Sequence, residues 1–272
     1  MRFYFDNLTI GYDKTVVQSG LEAQALSGTM VCLLGRNGSG KSTLLRTLAG
    51  LQKPLSGKIC ITEADGTDVE ISSLSASKRA LIISLVLTDH VSLESTKVSD
   101  VVAMGRYQHT SFLGELSAHD KEIINNALRD VAAEDKKDCF FNELSDGEKQ
   151  RILIAKALSQ QTPIILLDEP TSFLDLPNRI KIMSLLKSLA KEQNKIIIIS
   201  THELDLALQI ADKIWLLDGQ ENSRNLHIGS SKELLDNGIF MKVFEDENFT
   251  LVNQNGQVRV EVGNGEGLMV KG

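Results

Sequence analysis

Three short apolar runs, MVCLLG (30–35), IILLD (164–168) and IIIIST (196–201), constrain the fold of this chain more than any other feature. None alternates apolar with polar residues. Each therefore suits a strand buried on both faces, as in a parallel sheet covered by helices. Segments 41–51, 148–160, 178–192 and 203–211 carry apolar residues at helical spacing and complete a β–α alternation. Two regions depart from it. The first 28 residues, with KICIT (58–62) and VEI (69–71) around the turn ADGT, predict a small antiparallel sheet, and residues about 90–145 read as a mostly helical insertion. The expected fold class is α/β: a mostly parallel sheet flanked by helices, with an N-terminal antiparallel β subdomain and an inserted α-helical subdomain. IWLLDGQENSRNLHIG reads as a hairpin, and FTLVNQNGQVRVEV as another turning at Asn255-Gly256, so residues 1–245 form the expected domain and 246–272 an extension.

A formal net charge of -7 over 272 residues argues against a nucleic-acid binder, which usually carries a strongly basic face. No apolar stretch approaches the roughly 20 residues that cross a bilayer, and MRFYFDNLTI lacks the apolar segment of a secretory signal, so a cytosolic location is expected. Cys32, Cys60 and Cys139 are far apart, odd in number and without CxxC spacing. That pattern fits reduced thiols and neither a disulfide frame nor a zinc site.

Gly35-Arg-Asn-Gly-Ser-Gly-Lys41-Ser42 matches G-x-x-x-x-G-K-[ST] between an apolar strand and a helix. The glycines let backbone N–H groups close around phosphate oxygens, and the helix start adds its positive end. Gly35, Asn37, Gly38, Ser39, Gly40, Lys41, Ser42 and Thr43 are thus candidate ATP ligands. Lys41 would neutralise the β- and γ-phosphates, and the Ser42 hydroxyl would hold Mg²⁺. A structural glycine turn has no need of the lysine and serine at its end. In IILLDEP, a buried strand delivers Asp168 to the metal and leaves Glu169 one step further into the cleft, a candidate general base for an attacking water. Alone, Asp-Glu-Pro would read as a solvated turn. In IISTHELD, His202 stands at the carboxyl end of a parallel strand, where ligands of open α/β sheets lie; a lone histidine is more often a structural hydrogen-bonder.

NELSDGEKQR (142–151) holds a further signal. Ser145 and Glu148 fit a capping box that starts a helix. The order phosphate loop, LSDGEKQR, LLDEPTSFLD, STH resembles the ATP-binding cassette family, and the resemblance covers about residues 2–240. It implies an ATP hydrolase of two cassettes packed head to tail, with Ser145, Gly147 and Glu148 touching the ATP held on the partner's phosphate loop. It also implies that Tyr12 stacks on adenine, that Glu169, His202 and Lys41 are catalytic, and that Asp175 belongs to the loop crossing the dimer interface. Asp175 equally suits a helix N-cap.

Two departures stand out. The family signature is usually Leu-Ser-Gly-Gly-Gln, whereas this chain has Asp146 and Glu148, two acids beside a phosphate site. Thr88 occupies the position of the family's metal-binding glutamine, with Asp89 as a neighbouring substitute. VSDVVAMGRYQHTSFLGELSAHDKEII (98–124) is similar to the helical arm of cassettes that import iron–siderophore complexes, haem or cobalamin. The resemblance therefore implies a homodimer at the inner face of the cell membrane, beneath a separate permease and indirectly served by a substrate-binding protein. The alternative is a soluble cassette ATPase working without a permease, as in iron–sulfur cluster assembly. DNA-repair relatives need a long coiled-coil insertion, for which residues 43–143 are too few and lack heptads.

Overall fold

The computed structural model describes residues 1–63, 65–87, 93–110, 115–219, 226–244, 249–254 and 257–262. Its centre is a six-stranded sheet ordered β10-β9-β3-β8-β7-β6, built from β3 (Thr29–Gly35), β6 (Ile83–Val86), β7 (Ile164–Asp168), β8 (Ile196–Ser200), β9 (Lys213–Leu217) and β10 (Leu226–Gly229). The first five strands are parallel and β10 closes the edge antiparallel to β9. Alternate residues of β3, β7 and β8 feed different cores. Val31, Leu33, Ile164, Leu166, Ile196 and Ile198 face one core, while Cys32, Leu34, Ile165, Leu167, Ile197 and Ile199 face the other. Both faces being dry, the strands have no place for the polar alternation of a half-wet sheet.

A second sheet, ordered β2-β1-β4-β5, is formed by β1 (Arg2–Tyr12), β2 (Thr15–Leu26), β4 (Ser56–Thr62) and β5 (Asp68–Glu70), all antiparallel. Here the alternation is plain, with Phe3, Phe5, Leu8 and Ile10 buried along β1. Phe5 meets Trp215 of β9 edge-on at 5.3 Å, joining the two sheets, and helix α1 (Lys41–Leu48) puts Leu44, Leu45 and Leu48 into the same core.

The opposite face of the large sheet carries α5 (Asp146–Ser159), α6 (Leu176–Glu192) and α7 (Leu204–Ile210), with the short α2 (Ala76–Ala80) leading into β6. The expected helical insertion comprises α3 (Val98–Ala103) and α4 (Ala118–Asp130), joined to the body through α5. Its anchor is Arg106, 3 % exposed, which donates to Asp120 Oδ1 at 2.9 Å, to the Ser159 carbonyl at 2.7 Å and to Gln161 Oε1 at 2.9 Å. The Asp120 carboxyl is held down at about 2 by the Ser117 hydroxyl and by Arg106. Helices α8 (Ser231–Asp236) and α9 (Ile239–Phe244) follow β10, and β11 (Phe249–Gln254) pairs antiparallel with β12 (Gln257–Val262). The predicted turn of that pair, Asn255-Gly256, lies outside the described residues.

The sheet is larger than the three apolar runs indicate. In β6, the buried Ser84 interrupts the apolar pattern and is satisfied by Thr162 at 3.0 Å. The first strand of the predicted 214–229 hairpin has a second partner, pairing with β3 on its other side.

Candidate functional site

The carboxyl ends of β3, β7 and β8 bring the phosphate loop, Asp168-Glu169 and His202 to one edge of the sheet. Gly40 starts α1 from the left-handed region, at φ 100°, and a Cβ there would fall 2.7 Å from Val17 Cγ1. Only glycine meets both conditions. A Cβ on Gly38 would meet nothing within 4 Å, so that side of the loop is an open cradle. Gln18 of β2 holds the loop from behind, its amide donating to the Ser39 carbonyl at 3.0 Å and to the Asp218 carbonyl at 3.2 Å. No sequence signal marked Gln18. The buried Ser39 hydroxyl has no partner among the described residues.

Lys41, 6 % exposed, donates to the carbonyls of Gly35 at 2.9 Å and Arg36 at 3.2 Å. Burial pushes its pKa below the ordinary ammonium value, with Glu169 and Asp168 pulling the other way. Ser42 is exposed beside it and Thr43 is buried. The Thr43 hydroxyl shares a 3.2 Å hydrogen bond with Tyr12, a half-exposed ring lining an open cavity of about 570 Å³ together with Gly11, Arg46 and Gln52.

Asp168 is buried at the end of β7 and accepts a short hydrogen bond from the Ser200 hydroxyl. Glu169 sits in the left-handed region at φ 46°, which costs a non-glycine residue about 1–2 kcal/mol. Two contacts hold it there: its N–H donates to the Ser200 carbonyl at 3.1 Å and lies 3.0 Å from the Ser200 hydroxyl. The consequence is a carboxylate turned toward His202, whose Nδ1 lies 3.3 Å from Glu169 Oε2. The other ring nitrogen lies 3.5 Å from Glu203, itself paired with Arg179. Glu203 lies within IISTHELD but carries no predicted role there, and Arg179 belongs to no motif that sequence reading singled out.

Ser145 caps α5 as expected: the Glu148 N–H donates to its hydroxyl at 3.4 Å, while Glu148 Oε2 accepts from the Ser145 N–H at 2.9 Å and its hydroxyl at 2.8 Å. Both extra acids of the signature are neutralised locally. Lys136 pairs with Glu148 at 2.9 Å and Lys149 with Asp146 at 3.5 Å. With Lys136 as the largest cause and the Ser145 donors behind it, the Glu148 carboxyl is lowered to about 2. Gly147 is closely packed, a Cβ there lying 3.0 Å from the Phe173 carbonyl oxygen and 3.3 Å from Leu174 Cδ2. Asp175 is the N-cap of α6, accepting from the Asn178 N–H at 3.1 Å. Thr88 and Asp89 lie outside the described residues.

These residues fit a nucleotide with a divalent ion. An orphaned buried hydroxyl at Ser39, an open cradle at Gly38, a buried ammonium at Lys41, the exposed Ser42 and the carboxylate of Asp168 offer matched chemistry to phosphate and metal.

Comparison with known proteins agrees. The family model described as ABC transporter matches residues 19–172. The chain is 35% identical over 237 residues to the achromobactin transport ATP-binding protein of Dickeya dadantii, covering 87% of this chain and 85% of that one. It is 32% identical to the petrobactin import ATP-binding protein FpuD of Bacillus anthracis, with 88% and 85% covered. Among solved structures, the dimeric post-hydrolysis state of an ATP-binding cassette with ADP and Pi superposes with a TM-score of 0.72 at 26% identity, covering 84% of this chain and 98% of that one. Fold, site and relatives agree that the chain belongs to the ABC transporter family, as one of its ATP-hydrolysing cassettes.

Proposed function

We propose that this chain powers import of an iron–siderophore, haem or cobalamin-type substrate, working as a head-to-tail homodimer on the inner face of the membrane beneath a separate permease. A substrate-binding protein delivers the solute to that permease. Support comes from the relatives named for achromobactin transport and petrobactin import, and from the helical arm anchored by Arg106. No described helix is long and apolar enough to cross a membrane; in this reading the transport path is supplied by the permease.

In this reading ATP lies along the phosphate loop, with Tyr12 offering its ring to adenine and the amides of residues 35–43 closing on phosphate. Lys41 is already stripped of most water, so its charge acts on the β- and γ-phosphates with little screening. Ser42 and Asp168, with Thr88 as a third candidate, hold Mg²⁺, which when bound draws charge from the phosphate oxygens. Glu169 takes the proton of the attacking water, and His202 steadies both that carboxylate and the γ-phosphate. Ser145, Gly147 and Glu148 of the partner complete the site, and Asp175 lies in the loop between them. ATP binding closes the pair and hydrolysis reopens it.

The carrying observation is the 3.3 Å approach of His202 to Glu169 at the strand edge that also presents Lys41. Glu169→Gln should bind ATP as the parent chain does, while steady-state hydrolysis falls by about 10²–10⁴-fold. Unchanged turnover would remove Glu169 as base. For the transport role, a tagged chain should be isolated from detergent-solubilised membranes together with an integral-membrane subunit; recovery with soluble partners alone would contradict it.

A further inference from the structure

We propose that Arg179 and Glu203 are positioning residues for His202, fixing its ring against Glu169 and tying that ring to the loop that leads into α6. The inference rests on the catalytic reading of Glu169 and His202 given above. Glu203 begins α7 and is itself held by its N–H, which donates to the Thr201 hydroxyl at 3.0 Å. Its Oε1 faces His202 Nε2 at 3.5 Å and accepts a short hydrogen bond from Arg179. The imidazole therefore stands between two carboxylates, one proposed to act on water and one paired with Arg179.

Arg179 supplies the second half of the device. From the start of α6 its Nε donates to the Leu174 carbonyl at 2.6 Å while another nitrogen of the same plane holds Glu203. A guanidinium makes both bonds at once because its donors are fixed in a fork, whereas an ammonium is a single point. Leu174 is buried, and with Phe173 it lies against Gly147 of the signature segment, at distances where even a Cβ would be crowded. One continuous path of contacts thus joins Gly147, Leu174, Arg179, Glu203, His202 and Glu169 within a single chain. A push on the signature start, where the partner's nucleotide is proposed to sit, reaches the ring beside the chain's own general base. Both charged side chains are roughly three-quarters sheltered, at 28% and 22% exposure, so the pair keeps a defined geometry.

The test is ATP hydrolysis by Arg179→Ala, Arg179→Lys and Glu203→Gln, combined with the ring ¹⁵N signals of His202, assigned by their loss in His202→Ala. Expected is a fall in kcat of about 10- to 100-fold, KM for ATP within about 2-fold, an unchanged thermal midpoint and a displaced His202 signal in all three variants. The lysine variant guards against a trivial loss of charge, since it keeps the cation and loses only the fork. Full kcat in Arg179→Ala, or a fall in kcat with the His202 signals unmoved, would overturn the inference. Failure of the parent reading looks different: His202→Ala would then hydrolyse ATP as fast as the unaltered chain.

Discussion

At Glu148 the chain departs from its family's usual glutamine, and the structure explains how the acid is accommodated. The carboxylate completes the Ser145 cap and pairs with Lys136, so its charge is spent before it can repel a phosphate. Glu148→Gln keeps a side chain able to cap but loses the ion pair, which for groups this exposed is worth no more than about 1 kcal/mol. The folded carboxyl sits at about 2, below its ordinary 4.5, so its contribution is complete above the ordinary value and disappears as pH falls towards the folded one. Thermal midpoints of the parent and Glu148→Gln chains should accordingly differ near neutrality and converge between about pH 4.5 and pH 2. A constant gap across that window would show that Lys136 and the Ser145 donors do not lower this carboxyl. Lys136 escaped sequence reading for a physical reason. It comes from a separate turn before α5, and nothing local in its neighbours predicts which acid it meets.

Among the elements, the helical arm meets α5 at a tight junction. Gly105 approaches so closely that an added Cβ would lie 2.1 Å from Ser159 Oγ and 2.3 Å from the Lys156 carbonyl oxygen. The second contact is with backbone and cannot rotate away. Gly105→Ala should therefore destabilise the chain by about 1–3 kcal/mol, read as a lowered midpoint in denaturant unfolding. At this scale the sequence was legible wherever one local rule decided the outcome. Unbroken apolar runs gave β3, β7 and β8 because both faces of that sheet are buried, and the Ser145 box gave the start of α5. Strand β6 was not legible, because Ser84 satisfies its hydroxyl with Thr162, a residue far along the chain. The same holds for the site. The loop, Asp168-Glu169 and His202 announce themselves through short motifs, whereas Gln18 reaches Ser39 and Asp218 across 21 and 200 positions, Arg179 meets Glu203 across 24, and all three read as ordinary polar residues.

On the scale of the whole molecule, the chain presents a phosphate cradle at one sheet edge and, at Ser145, an exposed capped helix start, which the proposed dimer reads as two halves of one site. In the proposed dimer the second half serves the first half of another copy. The most direct measurement is crosslinking between mixed chains carrying Arg36→Cys or Asp146→Cys, in a Glu169→Gln, Cys139→Ser background, with a short bis-maleimide. Cys32 and Cys60 are buried and should stay silent. A joined pair containing one chain of each kind should form with ATP and fade with ADP or without nucleotide. A chain that binds ATP yet never gives that product, or gives it equally without nucleotide, would contradict the shared site.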